Sequence, residues 1–354
     1  MDEALGVFRG KRVLITGDTG FKGSWLALWL TELGAEVTGV ALPPVGERSH
    51  FDMLDLNRLI RHVDCDIRDA EALGRVFATA RPEIVFHLAA QSLVHRAYWE
   101  PKLTFDTNVG GSVNVLEAVR EAPSVGAVVY VTSDKCYLNK EWVWGYREND
   151  ELGGHDPYSA SKAAAEMVYA AFNESYFRSR AGLGVASARA GNVIGGGDWA
   201  PNRIVPDCIR ALEQGVPIQV RNPRSTRPWQ HVLEPLYGYL RLATRLLDEP
   251  TAFSGSWNFG PGDMAAFTVN QLVEAIVRHW GDGEIATNAS DGNSFEATLL
   301  HLNVDKVHLK LGWRTRWNVE RVVAESVRWY REVLHGAPAI EMSRSQIRDY
   351  IGDR

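Results

Sequence analysis

The sequence has little of what would commit a protein to metal, disulfide, nucleic-acid or membrane chemistry. Its three cysteines, Cys65, Cys136 and Cys208, are scattered and odd in number, so no disulfide framework is expected and a reduced compartment fits. No C-x-x-C pair and no histidine cluster occurs, and no metal is expected. An excess of positive charge is also missing: 38 Lys and Arg stand against 44 Asp and Glu, for a formal net charge of -6. That balance argues against nucleic acid as the main partner and leaves room only for a local basic pocket. No run is long and apolar enough to span a bilayer. The first residues, M-D-E-A-L-G-V-F-R-G-K, are acidic and lack the apolar core of a signal peptide. A soluble cytoplasmic protein is the expectation. There is no internal repeat and no low-complexity segment. The 354 residues allow one large domain or two.

What is present is an alternation of apolar runs and helical patterns. Lys11 to Thr16 reads as a buried strand. Gly17-Asp18-Thr19-Gly20-Phe21-Lys22-Gly23 follows, then an apolar helix from Ser24 to Leu33. Glycines at a strand-to-helix turn let the backbone approach a pyrophosphate, which the helix N-terminus then attracts. The spacing is G-x-x-G-x-x-G rather than G-x-G-x-x-G. Further strands are predicted at 36–42, 83–88, 127–131 and 184–190, and helices at 69–80, 101–121 and 158–180. This pattern predicts an α/β fold: a Rossmann-type, doubly wound parallel sheet with helices on both faces. Ligands of such sheets bind beyond the carboxyl ends of the strands. The polar clusters fall there: Gly17–Gly23, Asp66-Ile67, Leu88-Ala89-Ala90-Gln91 and Ser133-Asp134-Lys135.

The stretch from Val128 to Lys162 carries the chemistry. It opens with V-V-Y-V-T-S-D-K-C-Y and closes with D-P-Y-S-A-S-K. Asp156 can cap a helix and Pro157 suits its first turn. Tyr158 and Lys162, four residues apart, share one helix face, roughly 6 Å apart along the axis. An ammonium near a phenol favours the phenolate, and a Tyr so tuned can take a proton from a sugar hydroxyl. Ser133 could hold that hydroxyl. A bare Y-x-x-x-K is common by chance; its position in this alternation gives it weight.

The glycine turn, Asp66-Ile67, His87-Leu88-Ala89-Ala90-Gln91, Asn108 and Tyr158/Lys162 together resemble an extended short-chain dehydrogenase/reductase. The resemblance implies that Asp66 holds the adenine, that Ala89 and its neighbours lie along the cofactor, that Tyr158 is the base, and that Lys162 binds the nicotinamide ribose and lowers the Tyr pKa. NAD is the implied cofactor. One stretch departs from the pattern: Val40-Ala41-Leu42-Pro43-Pro44 ends the second strand with no acid before Glu47. Arg48 and Ser49 lie close enough in sequence to suggest phosphate binding, so NAD over NADP is a lean.

Over nearly the whole chain the sequence is similar to one subgroup, the CDP-D-glucose 4,6-dehydratases. The segments G-F-K-G-S-W (20–25), T-S-D-K-C-Y (132–137), E-W-V-W-G-Y-R-E-N (141–149), G-N-V-I-G-G-G-D-W (191–199), R-P-W-Q-H-V-L-E-P (227–235) and W-N-F-G-P (257–261) carry it. The similarity implies CDP-D-glucose as substrate and an internal redox cycle. Tyr158 deprotonates the 4-hydroxyl as hydride leaves C4 for NAD+. A base then removes the C5 proton, the C6 hydroxyl leaves as water, and the hydride returns to C6. Asp134 and Lys135 are the candidates for acid and base at C5 and C6. In the related dTDP-glucose dehydratases an Asp-Glu pair stands there. Lys135 acts either as the base beside a neutral Asp134, the favoured reading, or as a charged stabiliser of the enolate.

The second half gains glycines, prolines and arginines. A diphosphate needs fixed cationic forks and amide donors. By resemblance Asn192 binds the diphosphate and Arg227 clamps a phosphate, with Arg203 and Arg221 as further candidates. Trp199 or Trp229 could wall a cytosine or ribose pocket, although a Trp in such a loop is more often core. His87, His95 and His231 are expected to be structural. The domain division expected is 1–190 plus about 231–256 for the dinucleotide, and 191–230 plus 257–354 for the sugar nucleotide. Helices are expected at 269–280 and 319–334, with a sequence-poor tail after His335. The helices at 101–121 and 158–180 carry apolar residues on more than one face. The family often dimerises by joining this pair into a four-helix bundle, so a homodimer is expected. The rival readings are an epimerase of the same family, which has no use for Asp134 and Lys135, and a silent binding protein that keeps the fold.

Overall fold

The structure is a computed structural model that describes residues 3–262, 267–287 and 299–352. Its centre is a seven-stranded sheet: β1 (Arg12–Thr16), β2 (Glu36–Ala41), β3 (Arg61–Asp64), β4 (Ile84–His87), β5 (Ala127–Val131), β6 (Gly184–Ala190) and β7 (Gly255–Phe259). All neighbours pair in parallel, in the order β7-β6-β5-β4-β1-β2-β3. The order reverses between β1 and β4, which opens the crevice where such sheets take their ligands. Five of the strands lie within a residue or two of the predicted runs, and their interiors are buried on both faces, as a covered parallel sheet requires.

Two strands were not legible in that way. β3 is a short edge strand with exposed ends and half-buried middle residues, so neither alternation nor an apolar run announces it. β7 pairs with β6 and thereby places Trp257 to Phe259 in the central sheet, past the expected boundary at 256.

Helix α1 (Phe21–Glu32) is buried continuously from Gly23 to Leu30. The sheet covers one side. On the other, Trp29 stacks on Tyr237, with ring centroids 6.3 Å apart, and meets Tyr350 edge-on at 5.9 Å. Each large side chain so enclosed contributes about 1.5–3 kcal/mol. Helices α2 (Ala70–Ala80), α3 (Ser112–Glu121) and α4 (Pro157–Phe172) follow. Asp69 caps α2 and Asp156 caps α4, each accepting a backbone N–H at 2.9 Å. These caps satisfy donors that a helix start leaves open.

A smaller lobe is built from α5 (Ile204–Gln214), α7 (Val269–Trp280) and α8 (Val319–Leu334), with short strand pairs between them. Helix α6 (Leu233–Asp248) returns to the sheet and packs on β5 and β6. The stretch after His335, expected to be a featureless tail, is instead helix α9 (Ala339–Gly352). It docks against α1 through Tyr350 and through an Arg344–Glu32 ion pair of 2.9 Å.

Candidate active site

The glycine turn forms as its spacing requires. Gly17 takes φ +83°, and a Cβ there would stand 2.7 Å from the Ala89 nitrogen. A Cβ on Gly23 would lie 2.0 Å from the Gly17 oxygen. Gly20 opens α1 with no side-chain cap, and the first turn holds no acid. The free N–H groups and the positive end of the dipole are left for an anion. This cradle, closed to any Cβ, fits the pyrophosphate of a dinucleotide. Thr19 Oγ1 donates to the Leu42 carbonyl at 2.9 Å and fastens the turn to the end of β2.

The opposite wall follows β4. The Ala89 N–H donates to Thr16 Oγ1 at 3.2 Å. Asn108 holds Gln91 at both ends of its peptide: it accepts from the Gln91 N–H at 2.8 Å and donates to the Gln91 carbonyl at 3.0 Å. It also donates to Ser161 Oγ on α4 at 2.9 Å. Asn108 sits in a π-helical turn, Asp106–Gly111, a distortion frequent at functional sites. Leu88 and Ala90 complete the wall, half-buried. Ile67 is buried against Gly111, where a Cβ would come within 2.6 Å of its Cδ1. Asp66 already carries a cation: the Arg68 side chain donates to its carboxylate at 2.9 Å and, outweighing burial, holds its pKa below the usual range.

Beyond β5 lie the reactive groups. Ser133 Oγ donates to Asp134 Oδ1 at 2.9 Å. Asp134 is buried, and its Oδ2 has no partner among the described residues. That oxygen lies against Gly191, where a Cβ would come within 2.0 Å. Lys135 is half-buried beside it. Tyr158 and Lys162 are both buried on one face of α4. Besides the expected influence of Lys162, the fold around Tyr158 acts strongly on its pKa. Burial pushes the phenol up to about 12, with the Ser133 hydroxyl working against it. Spacing reports that two groups share a face, but the desolvation of the phenol comes from the fold around it. Burial likewise pulls Lys162 down to about 8. Lys22 reaches the same pocket from the glycine turn. Burial pulls it to about 8, Asp134 favours its charged form, and Arg203 and Lys162 oppose it.

The candidates of the second half divide. Arg203 faces the pocket, donating to Asp198 at 2.9 Å and to Ser92 Oγ at 3.3 Å. Asn192 follows Gly191 with φ +36°, a left-handed turn that Asn tolerates. Arg221 is exposed, and among the described residues no hydrogen bond or ion pair joins it to this pocket. Arg227 is buried and donates to the Thr226 carbonyl at 2.8 Å. Trp229 packs into the core, its indole N–H donating to the Phe267 carbonyl at 3.3 Å. Trp199 meets Tyr330 edge-on at 5.1 Å and carries the Arg48 guanidinium at 5.0 Å. Arg48 itself is bound bidentately by Glu213, at 2.8 Å for each contact, and Ser49 caps the turn at 50–53. Neither is left for a cofactor phosphate. His87 and His231 are buried; burial pulls both to about 3, so they stay neutral. They are structural, as expected.

The sequence reading missed the support beneath α4. Glu166, one turn after Lys162, pairs with Arg189 of β6 at 2.7 Å, both side chains buried. Its signal was a lone acid on the buried face of an alanine-rich helix.

The sequence profile of the family described as GDP-mannose 4,6 dehydratase matches residues 14–326. The CDP-glucose 4,6-dehydratase of Salmonella typhimurium is 48% identical over 348 residues, covering 97% of each chain. A dTDP-glucose 4,6-dehydratase structure from Streptomyces venezuelae, with NAD bound, superposes with a TM-score of 0.76 at 26% identity, covering 90% of this chain and 97% of that one. The UDP-glucose 4-epimerase of Thermotoga maritima gives 0.78 at 25%, covering 91% and 99%. Likeness in sequence and fold over nearly the whole length, centred on a dinucleotide cradle and a Tyr–Lys helix face, leaves one assignment: the chain belongs to the GDP-mannose 4,6-dehydratase family of extended short-chain dehydrogenase/reductases.

Proposed function

We propose that the protein is an NAD-dependent CDP-D-glucose 4,6-dehydratase that converts its substrate to CDP-4-keto-6-deoxy-D-glucose. The observation that carries this reading is the Ser133-Asp134-Lys135 run at the end of β5, packed against the helix of Tyr158 and Lys162, in a chain 48% identical to a CDP-glucose 4,6-dehydratase. An epimerase needs only the Tyr, the Lys and the cofactor. A dehydratase also needs an acid and a base at C5 and C6.

In this reading Gly17, Thr19, Gly20, Phe21, Lys22 and Gly23 hold the pyrophosphate, and Asp66 and Ile67 border the adenine. Leu88 to Gln91 and Asn108 line the nicotinamide side. When bound, NAD+ accepts the C4 hydride and returns it at C6. Tyr158 takes the proton of the 4-hydroxyl, which Ser133 positions. The buried phenol needs positive charge near it to ionise, and Lys162 and Arg203 supply it. The 4-ketone acidifies C5, Lys135 removes that proton, and Asp134 protonates the departing C6 hydroxyl. Asn192, Arg203 and Arg227 bind the diphosphate; the exposed Arg221 is the weakest of the substrate candidates. Residues 1–190 with about 231–259 serve the dinucleotide, and the smaller lobe serves the sugar nucleotide.

The protein works as a homodimer in this reading. Met167 is 56% exposed, with Phe105 and Tyr176 also uncovered, on the helices expected to form a four-helix bundle, and Tyr98 and Trp99 are exposed on the short helix 94–99 just before them. Apolar groups so grouped favour a self-complementary interface. No helix among the described residues is long and apolar enough to cross a membrane, which agrees with a cytoplasmic enzyme.

The test is the mass spectrum of CDP-glucose after incubation with protein and NAD+, in light and heavy water. Loss of one water with one solvent deuterium at C5 is expected. Lys135→Ala should yield a 4-keto sugar that keeps its C6 hydroxyl; normal turnover would remove Lys135 from the mechanism. An unchanged sugar mass with inverted C4 would identify an epimerase instead.

A further inference from the structure

The second strand ends without a carboxylate: Val40-Ala41-Leu42-Pro43-Pro44. In dinucleotide folds an acid about 20 residues past the glycine turn bonds the adenine ribose 2′-hydroxyl and so disfavours a 2′-phosphate. Here that strand lacks the acid, and Arg48 and Ser49, the candidates for a phosphate that follow it in sequence, are engaged elsewhere.

Three side chains from neighbouring segments stand beside the gap. Asp18 belongs to the glycine turn and is fully buried. Its carboxylate rests on Gly39 of β2, where a Cβ would come within 2.1 Å of Oδ2; only glycine leaves that space. The register partner of Gly39 on β3 is His62, whose Nδ1 lies 2.7 Å from Asp18 Oδ2. His62 Nε2 lies 3.1 Å from Asp64 Oδ1. Asp64 is in turn the register partner of Ala41, the last residue of β2. Its side chain is 70% exposed. A carboxylate therefore stands at the vacant strand end, supplied by the next strand. Asp18 Oδ1, buried among these groups, has no partner among the described residues.

The charges decide what this arrangement favours. Burial works against the charge of Asp18, so the exposed carboxylate of Asp64 sets the charge that a ligand meets at this edge. A ribose hydroxyl can donate to such a site, and a phosphate dianion is repelled by it.

We infer that Asp18, His62 and Asp64 act as one cofactor-selecting unit, in which Asp64 takes the place of the missing acid of β2 and rejects a 2′-phosphorylated dinucleotide. His62 is a positioning residue that aims Asp64, and Asp18 is a positioning residue that anchors His62. The inference rests on the NAD-dependent reading above and adds to it the residues that separate NAD from NADP.

The experiment is a titration of the full-length protein with NAD+ and with NADP+, followed by intrinsic fluorescence, for the wild type, Asp64→Asn and Asp18→Asn. Asn keeps the shape and the hydrogen bonding of each position and removes the charge. The ratio of the two dissociation constants is the readout, because damage to the fold weakens both ligands together. The wild type should bind NAD+ more tightly. Asp64→Asn should lower the NADP/NAD ratio about tenfold, and Asp18→Asn should move it in the same direction. The change at the exposed Asp64 should shrink in about 0.5 M salt. A ratio unchanged within about twofold in Asp64→Asn overturns the inference, even if Asp18→Asn fails to fold. A wild type that prefers NADP+ overturns it while leaving the redox reading standing. A wild type that binds neither overturns the redox reading itself.

Discussion

The ion pair beneath the Tyr–Lys helix gives the sharpest quantitative prediction. Glu166 and Arg189 meet at 2.7 Å with side chains 1% and 3% exposed. The carboxylate also accepts from Thr132 Oγ1 at 2.5 Å and Ser187 Oγ at 2.9 Å. The guanidinium donates to Tyr137 Oη at 2.7 Å, the Glu148 carbonyl at 2.9 Å and Ser256 Oγ at 2.9 Å. One cluster thus joins α4, β6, β7 and the loop after β5. Glu166→Ala would leave a buried guanidinium without its counter-charge, which costs about 3–5 kcal/mol. The three other acceptors of Arg189 pull the expectation towards the lower end. Thr132 Oγ1, left without an acceptor, pushes it up by about 1 kcal/mol, whereas Ser187 Oγ keeps Ser256 Oγ at 2.9 Å. A loss of about 4 kcal/mol follows, a large part of the roughly 5–15 kcal/mol that holds a typical fold. The double variant Glu166→Met/Arg189→Met removes both charges and should be more stable than Glu166→Ala. Urea unfolding, followed by the fluorescence of the 12 tryptophans, reports both as shifts in midpoint at constant slope. A loss below about 1 kcal/mol in Glu166→Ala, or a double variant no more stable than the single, would refute this account of the cluster.

Gly23→Ala would place a Cβ 2.0 Å from the Gly17 carbonyl oxygen. That neighbour is backbone and cannot rotate away, so the cradle must open. NAD+ affinity should fall on the order of 100-fold by calorimetric titration with the circular dichroism retained; unchanged affinity would displace the pyrophosphate from this turn. Glu234 predicts a pH dependence. Burial raises its carboxyl to about 7, although the Tyr350 hydroxyl and the Trp317 and Arg316 N–H groups oppose the rise. Its folded pKa lies above the unfolded value of about 4.3, so the native state binds the extra proton between the two. Stability should therefore fall as pH rises from about 4.5 to about 7, by up to roughly 3 kcal/mol for this group. Glu234→Gln cannot titrate, and its melting temperature should vary less over that range; a slope equal to that of the wild type would assign the dependence elsewhere.

Where the sequence and the fold agree, the information is local. β5 and β6 appear with their predicted bounds because each is an unbroken apolar or small-residue run buried on both faces. Tyr158 and Lys162 share a face because four residues make a little more than one turn. Where they part, the deciding contact is distant. Helix α9 is mostly polar, and what fixes it is Tyr350, which meets Trp29 across 5.9 Å and donates to Glu234 at 2.6 Å. Those partners lie more than a hundred residues away, and no pattern within 339–352 encodes them. β7 carries the polar Ser256 and Asn258, which break its apolar run. Asn258 is buried and Ser256 half-buried because Tyr137 and Arg189 arrive to bond them. Asp18 read only as a polar residue in a glycine turn; its role depends on a glycine in β2 and a histidine in β3.

The Tyr158 result follows the same rule and bears on how the site works. Lys22, Lys162 and Arg203 lie around Asp134 and Tyr158, and burial pulls both lysines to about 8. A buried ammonium without a full counter-charge destabilises the fold. Asp198, paired with Arg203, offsets only part of this positive charge. The natural remainder is anionic ligand: the pyrophosphate at the glycine turn and the diphosphate of the sugar nucleotide both bring negative charge to this end of the sheet. Bound together, they would return each lysine towards its charged form. A charged Lys162 is the form that lets a buried phenol ionise. On the proposed reading, ligand binding would therefore favour the ammonium of Lys162, and through it the phenolate of Tyr158, against the burial that raises the phenol.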